Sequence, residues 1–220
     1  MLKLYGFNVS NYVNMIHFAL LEKGAEYEFV THYPAQDEAA LALNPVGKVP
    51  VLETEHGLLT ETAAILEYID EVLPGPSLFP GDAFQRARVR QLMHMIELYV
   101  ELPARRCYPE AYFGGRVSEE TKQEAREAME KGVRALARAT NFTPYTAGDS
   151  LSAADAMLLY SMDLAAGVAR KLFEVDLLAH APGCSELLQR LNERDSARRV
   201  AEQRTAGMEA YRKYIMSRAS

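Results

Sequence analysis

The stretch Pro74-Gly75-Pro76-Ser77-Leu78-Phe79-Pro80-Gly81 divides this chain into two parts with different periodicities. Neither a helix nor a central strand tolerates that density of proline and glycine, so elements must end before it and restart after it. Ahead of it, strand and helix patterns alternate. Leu2 and Leu4 alternate with Lys3 and Tyr5, which predicts a short strand ending at Gly6. Val13, Ile16 and Leu20 recur at helical spacing between Asn11 and Lys23, with Ser10 or Asn8 available as a cap and Gly24 as a terminator. Tyr27 to Thr31 is strand-like again, and Ala35 to Leu43 is weakly helical. Val49 to Leu52 is a short apolar run with Pro50 near its start, where no ladder N–H is required. Glu53 to Gly57 reads as a turn into Leu58-Leu59. A helix then starts at Glu61, with Thr60 as its cap and Ile65, Ile69 and Val72 on its buried face.

Beyond the break the strand signals vanish. Leu92, Ile96 and Tyr99 mark one helix, which Pro103 kinks or ends. Ser118 opens another, with Ala125, Met129, Val133 and Leu136 on one face, and Ser152 starts a third. The expected fold class is therefore α/β plus all-α. A βαβαββα domain occupies residues 1–75, a linker residues 76–82, and an all-helical domain residues 83–220.

Composition narrows the function classes. A chain with 49% hydrophobic and 25% charged residues can bury a substantial core. The net charge of −6 argues against a nucleic-acid partner, whose binders carry a basic face. No apolar run reaches the ~20 residues that cross a bilayer, so no membrane association is expected. Met1 to Tyr5 carries no basic region followed by a long apolar run, so the expected location is the cytoplasm. Cys107 and Cys184 lie far from each other and from any plausible set of histidine ligands, which predicts reduced thiols and no metal.

Four segments, in order, resemble the cytosolic glutathione transferases over essentially the whole chain. They are Leu20-Leu21-Glu22-Lys23-Gly24, Asn44-Pro45-Val46-Gly47-Lys48-Val49-Pro50-Val51-Leu52, Glu61-Thr62-Ala63-Ala64-Ile65-Leu66-Glu67-Tyr68-Ile69 and Gly148-Asp149-Ser150-Leu151-Ser152-Ala153-Ala154-Asp155. The resemblance implies a thioredoxin-like first domain and glutathione as cosubstrate. It implies a cis bond at Pro50 that turns the Val49 N–H and C=O outward, to pair with the glutathione backbone as an added strand does. Glu61 and Thr62 stand at a helix start, whose free N–H groups favour an anion such as the γ-glutamyl carboxylate. Thr62 would donate its hydroxyl, and Glu61 would accept from the α-ammonium. Lys48 is a candidate for the glycine carboxylate, with His32 and Lys23 as weaker ones. The fourth segment is expected to be structural, with Ser152 capping a helix and Asp155 completing a capping box.

Chemistry on glutathione needs the thiolate. Lowering a thiol pKa by about two units from ~8.5 takes roughly 2.7 kcal/mol. A helix N-terminus supplies on the order of 0.3–1 kcal/mol, or ~2 when partly buried. One hydrogen bond to a charged acceptor supplies about 1.5–3 kcal/mol. A hydroxyl at the start of the first helix therefore closes the gap. Counted back from Leu20 to Gly24, Ser10 falls where serine-type family members carry theirs, with Asn11 in place of their common proline. Asn11 and Tyr5 are the reserves. Tyr99, Arg106, Tyr108, Tyr112 and Phe113 form a strip suited to stacking a small hydrophobic electrophile, or else to helix packing. The reading is a glutathione transferase that conjugates small hydrophobic electrophiles, as a homodimer by resemblance. Its rivals are a glutathione-dependent disulfide reductase or peroxidase on the same fold, and a non-catalytic binding module.

Overall fold

In the computed structural model, which describes residues 1–219, the chain divides between Leu78 and Phe79 into two units. The first contains residues 1–78 together with the C-terminal segment from Glu193 onward, and the second is Phe79–Asn192.

The first unit is built on a four-stranded sheet of order β2-β1-β3-β4. Strand β1 (Leu2–Gly6) leads into helix α1 (Asn11–Glu22) and strand β2 (Tyr27–Thr31), which returns parallel to β1. Helix α2 (Glu38–Leu43) follows, then the hairpin of β3 (Val51–Thr54) and β4 (Gly57–Leu59), then helix α3 (Thr62–Val72). Strand β3 runs antiparallel to β1. Ser10 caps α1, and Gly24 ends it at φ 63°. Gly24 N–H donates to the Leu21 carbonyl and Ala25 N–H to the Leu20 carbonyl, the paired closure that a left-handed residue makes possible. Leu4, Val13, Ile16, Val51, Leu52, Ile65 and Ile69 form a fully buried core between sheet and helices.

Four details depart from the expectations. Strand β3 begins at Val51, so Val49 and Pro50 stand outside the ladder. The cap position of α3 is Glu61, not Thr60. Val72, expected to be buried, is 49% exposed in the last turn of α3. Helix α10 (Asp195–Ala219), assigned from sequence to the helical domain, belongs to the first unit and packs on α1. Glu22 at the end of α1 accepts from Arg194 Nε and Nη2 at 2.8 and 2.7 Å, and also from Ser196 Oγ.

The second unit is helical: α4 (Ala83–Ile96), a π turn (Glu97–Glu101), α5 (Leu102–Arg105), α6 (Tyr108–Phe113), α7 (Glu119–Ala139), α8 (Ala153–Phe173), a 3-10 turn (Leu177–His180) and α9 (Cys184–Asn192). Helix α8 is its axis and packs against α4, α5, α6, α7 and α9. Asp155 organises the start of α8. Its two carboxylate oxygens accept from the N–H and hydroxyl of Thr146 and from the N–H and hydroxyl of Ser152, at 2.7–2.9 Å. The predicted Leu92, Ile96, Tyr99 stripe fails at its third member. The π turn preceding Pro103 carries Tyr99 to the surface at 51% exposure, and Val100 takes the buried place. In an i→i+5 turn the residue three ahead falls short of the same face.

Candidate functional site

Three strand ends meet at one end of the sheet. Tyr5, at the close of β1, pairs with Val51, at the opening of β3, and Leu59, at the close of β4, pairs with Leu52. The segments that leave or enter there are Phe7–Ser10 into α1, Lys48–Pro50 into β3, and Thr60–Glu61 into α3. Helices α1 and α3 therefore start at the same end and pack on each other. Two helix N-termini and one strand opening converge on one place, which gives it a positive potential.

The motif residues occupy that place with distinct jobs. Asn44 is buried and fastens the turn that presents Val49. Its Nδ2 donates to the Lys48 carbonyl at 2.9 Å, and its Oδ1 accepts from Val46 N–H at 2.9 Å. Gly47 stands at φ 65°, and a Cβ there would lie 2.0 Å from the Ala35 carbonyl oxygen, so no larger residue fits. The Val49-Pro50 bond is cis. Among the described residues, Val49 N–H and C=O make no hydrogen bond within the chain. Lys48 is exposed beside it. Glu61 is exposed at φ 64°, a left-handed conformation uncommon for glutamate and of the kind found at functional sites. Thr62 begins α3 at 7% exposure, and among the described residues its hydroxyl has no partner in the chain.

Ser10 is the cap of α1. Its Oγ accepts from Val13 N–H at a long 3.4 Å. A hydroxyl that accepts one bond keeps its own proton to donate, so capping and thiolate stabilisation coexist. Asn11 is the first residue of α1 and is buried. Tyr5 is differently placed. Gly6 faces α1, since a Cβ there would lie 2.4 Å from Val13, and side chains alternate along a strand. Tyr5 therefore points to the opposite face. There it donates to Glu53 Oε2 at 2.5 Å, alongside the Lys3–Glu53 pair at 3.1 Å. The bond to the Glu53 carboxylate, with some burial, raises the Tyr5 phenol above its ordinary value, which makes it a weaker acid.

Other candidates are absorbed into structure. Lys23 is buried and pairs with Asp70 at 2.8 Å, and it donates to the Asp70 and Leu73 carbonyls as well. It is an internal tie from α1 to α3 and no carboxylate ligand. Within the second unit, Tyr108 is 5% exposed and donates to Glu101 at 2.6 Å, while Arg105 holds the other oxygen of that fully buried carboxylate. Tyr112 donates to the Leu164 carbonyl at 2.7 Å, and Lys171 Nζ lies 4.2 Å from its ring centroid. Both tyrosines serve helix packing. Arg106 pairs with Glu124 at 2.6 Å, and Tyr99 and Phe113 are exposed. Cys107 and Cys184 are buried free thiols of the second unit. Burial pushes the Cys184 thiol up to about 12 and also raises Cys107, so neither is a ready nucleophile.

Sequence reasoning missed Glu53, which engages Tyr5, and Tyr211 and Tyr214 of α10, whose rings stack against Phe7 and Tyr33 around the loop before Ser10. The signal for the latter was a pair of aromatics one helical turn apart in a strongly charged segment.

Residues 4–77 match the glutathione S-transferase N-terminal domain. A glutathione S-transferase of Pseudomonas putida is 48% identical over 217 residues, spanning 99% of both chains. Among solved structures, a glutathione S-transferase from Rhodospirillum rubrum superposes with a TM-score of 0.73 at 28% identity, covering 91% of each chain. A maleylpyruvate isomerase described as a bacterial glutathione S-transferase of the zeta class superposes with a TM-score of 0.70 at 27% identity, covering 90% of this chain and 95% of its own. Full-length identity of this degree, together with the convergence of the Val49-Pro50 and Glu61-Thr62 segments at one end of a thioredoxin-like sheet, means that the chain belongs to the glutathione S-transferase family.

Proposed function

We propose that this protein conjugates glutathione to small hydrophobic electrophiles and that the site at the end of the sheet performs the reaction. The observation that carries the reading is the set of unspent polar groups gathered there: the Val49 backbone, the Thr62 hydroxyl, the exposed Glu61 and Lys48, and the Ser10 proton. In this reading Val49 pairs with the peptide backbone of glutathione. Thr62 and the N-terminus of α3 hold its γ-glutamyl carboxylate, Glu61 accepts from its ammonium, and Lys48 faces its glycine carboxylate. Ser10 donates to the sulfur, so the thiol loses its proton to solvent near neutral pH. The thiolate attacks the electrophilic carbon, and the leaving group departs with the bonding pair. A homodimer in the cytoplasm completes the proposal by family likeness, and light scattering of the purified protein tests the dimer.

A second reading has a specific basis. Several relatives are isomerases, including a maleylpyruvate isomerase of Ralstonia 37% identical over 43% of this chain. A thiolate that adds to a double bond and is then expelled isomerises it without net consumption of glutathione, and the same Ser10 would serve. A disulfide reductase or peroxidase uses the same thiolate too. One assay set separates them: glutathione binding by calorimetry, then turnover with a chloronitrobenzene, a cis-enoic diacid, a hydroperoxide and a small disulfide. Conjugation of the chloronitrobenzene as the main activity supports the transferase. Dominant isomerisation, peroxide or disulfide turnover replaces it with that activity. No binding at millimolar glutathione overturns all of these and leaves a binding module of another kind.

A further inference from the structure

The turn that carries Ser10 does not stand alone. Ser10 N–H donates to the Phe7 carbonyl at 2.9 Å, so Phe7 and Ser10 are the two ends of one tight turn. Phe7 is gripped from outside that turn. The Tyr211 ring lies parallel to it, 5.0 Å between centroids and 12° between planes, and Tyr33 packs on it at 5.2 Å. Tyr214 stacks in turn on Tyr33 at 4.0 Å and 10°, and its hydroxyl donates to the Pro34 carbonyl at 3.0 Å. Next to Phe7, Asn8 meets the backbone of α10 at Gly207, where an added Cβ would lie 2.9 Å from the Asn8 Cβ. Three consecutive turns of α10 thus bear on the segment from Phe7 to Ser10 and on the loop after β2. Among the groups that bind glutathione in the proposal above, Ser10 is the one whose turn Tyr211 stacks on, whereas Tyr214 bears on the loop after β2, whose Ala35 N–H donates to the Gly47 carbonyl at 3.2 Å. Val49 is held by Asn44 and Gly47, and Thr62 by its own helix.

We infer that Tyr211 of α10, by stacking on Phe7, is a positioning residue that fixes the Ser10 hydroxyl for the thiol. The inference rests on Ser10 being the thiol-facing group. An aromatic pair of this kind contributes enough beyond its buried area to change a rate by about tenfold when lost. Its loss frees a turn whose only task toward glutathione is to aim one donor, so the effect falls on ionisation and turnover and spares affinity.

The test uses the full chain with Tyr211→Ala and Tyr211→Phe, the second of which keeps the ring. Three quantities are read: kcat, the dissociation constant of glutathione by calorimetry, and the pH at which bound glutathione ionises, followed by the ultraviolet absorbance of its thiolate. The expected result for Tyr211→Ala is a roughly tenfold lower kcat, a bound-thiol pKa raised by up to about one unit, and an affinity within about threefold of the parent. Tyr211→Phe restores all three. An unchanged thiol pKa and kcat overturn the inference, and so does a loss of affinity parallel to the loss of kcat, which marks a general structural role. If Tyr211→Ala does not fold, Tyr211→Leu, which keeps apolar bulk without a flat face, is read by the same criteria, and failure of both to fold also assigns the residue a merely structural role. The Ser10→Ala chain separates the two layers. If Ser10→Ala is fully active, the reading of Ser10 is wrong. If Ser10→Ala is impaired and Tyr211→Ala is not, only the positioning role is wrong. In the double variant Tyr211→Ala should add little to Ser10→Ala, because both act through one donor, and full additivity overturns the inference.

Discussion

At the scale of single residues, the family motif separates into groups that hold the backbone and groups left free to bind. Asn44 and Gly47 are consumed by the turn that sets Val49, whereas Thr62 and Ser10 keep a proton to give. Ser10→Ala should therefore lower kcat by about 10²-fold, as loss of one preorganised donor does, with little change in glutathione affinity. Tyr5→Phe should leave kcat near the parent value, because the Tyr5 hydroxyl is already spent on Glu53. A large loss in Tyr5→Phe with none in Ser10→Ala would reverse the assignment. Thr62 offers a complementary test on affinity. Thr62→Val keeps shape and removes the donor to an anion, a bond of about 1.5–3 kcal/mol, so calorimetry should show roughly 10- to 100-fold weaker glutathione binding. Thr62→Ser should bind like the parent.

At the scale of elements, legibility followed how local the cause was. The alternation before Pro74 and its disappearance after Gly81 are carried by neighbouring residues, and so the order of strands and helices was readable. The capping box at Ser152 and Asp155 was readable for the same reason, and the structure adds Thr146 as a second pair of donors. Asp155→Ala orphans four buried donors at once. It should cost about 2–5 kcal/mol, seen as a lower denaturation midpoint, while Asp149→Ala at an exposed position in the same segment should be near neutral. What was not local was lost. The π turn before Pro103 displaced Tyr99 from the stripe that its spacing implied. The strip of Tyr108 and Tyr112 left pocket wall and helix packing open because sequence shows ring types and not the Glu101 carboxylate or Leu164 carbonyl that claim their hydroxyls. Lys23 likewise looked available until Asp70 arrived from α3.

At the scale of the whole chain, the largest surprise is the return of the last helix to the first unit, and it changes how α1 must be understood. Val13, Ile16 and Leu20 mark one face, yet α1 is buried around most of its circumference, including Asn14 and His17, because the sheet, α3 and α10 surround it. The clue was the absence of charge in α1 before Glu22, which reads as a helix with no solvent face. His17 makes this closure sensitive to acid. Its Nδ1 lies 2.6 Å from the Tyr27 hydroxyl, and it borders a cavity of about 450 Å³ whose lining also includes Arg199 and Gln203 of α10. Burial lowers its pKa to about 4, from an ordinary value near 6.5. Between those two values the unfolded chain takes a proton that the folded chain refuses, so stability is lost as pH falls through that window. The loss attributable to His17 should be about 2 kcal/mol between pH 7 and pH 5. His17→Gln keeps an amide within reach of Tyr27 and cannot titrate. Urea unfolding at a series of pH values should show parent and variant converging by about that amount as the pH is lowered from 7 to 5. A constant difference between them across the series would show that the buried imidazole is not what ties the α1–α10 packing to pH.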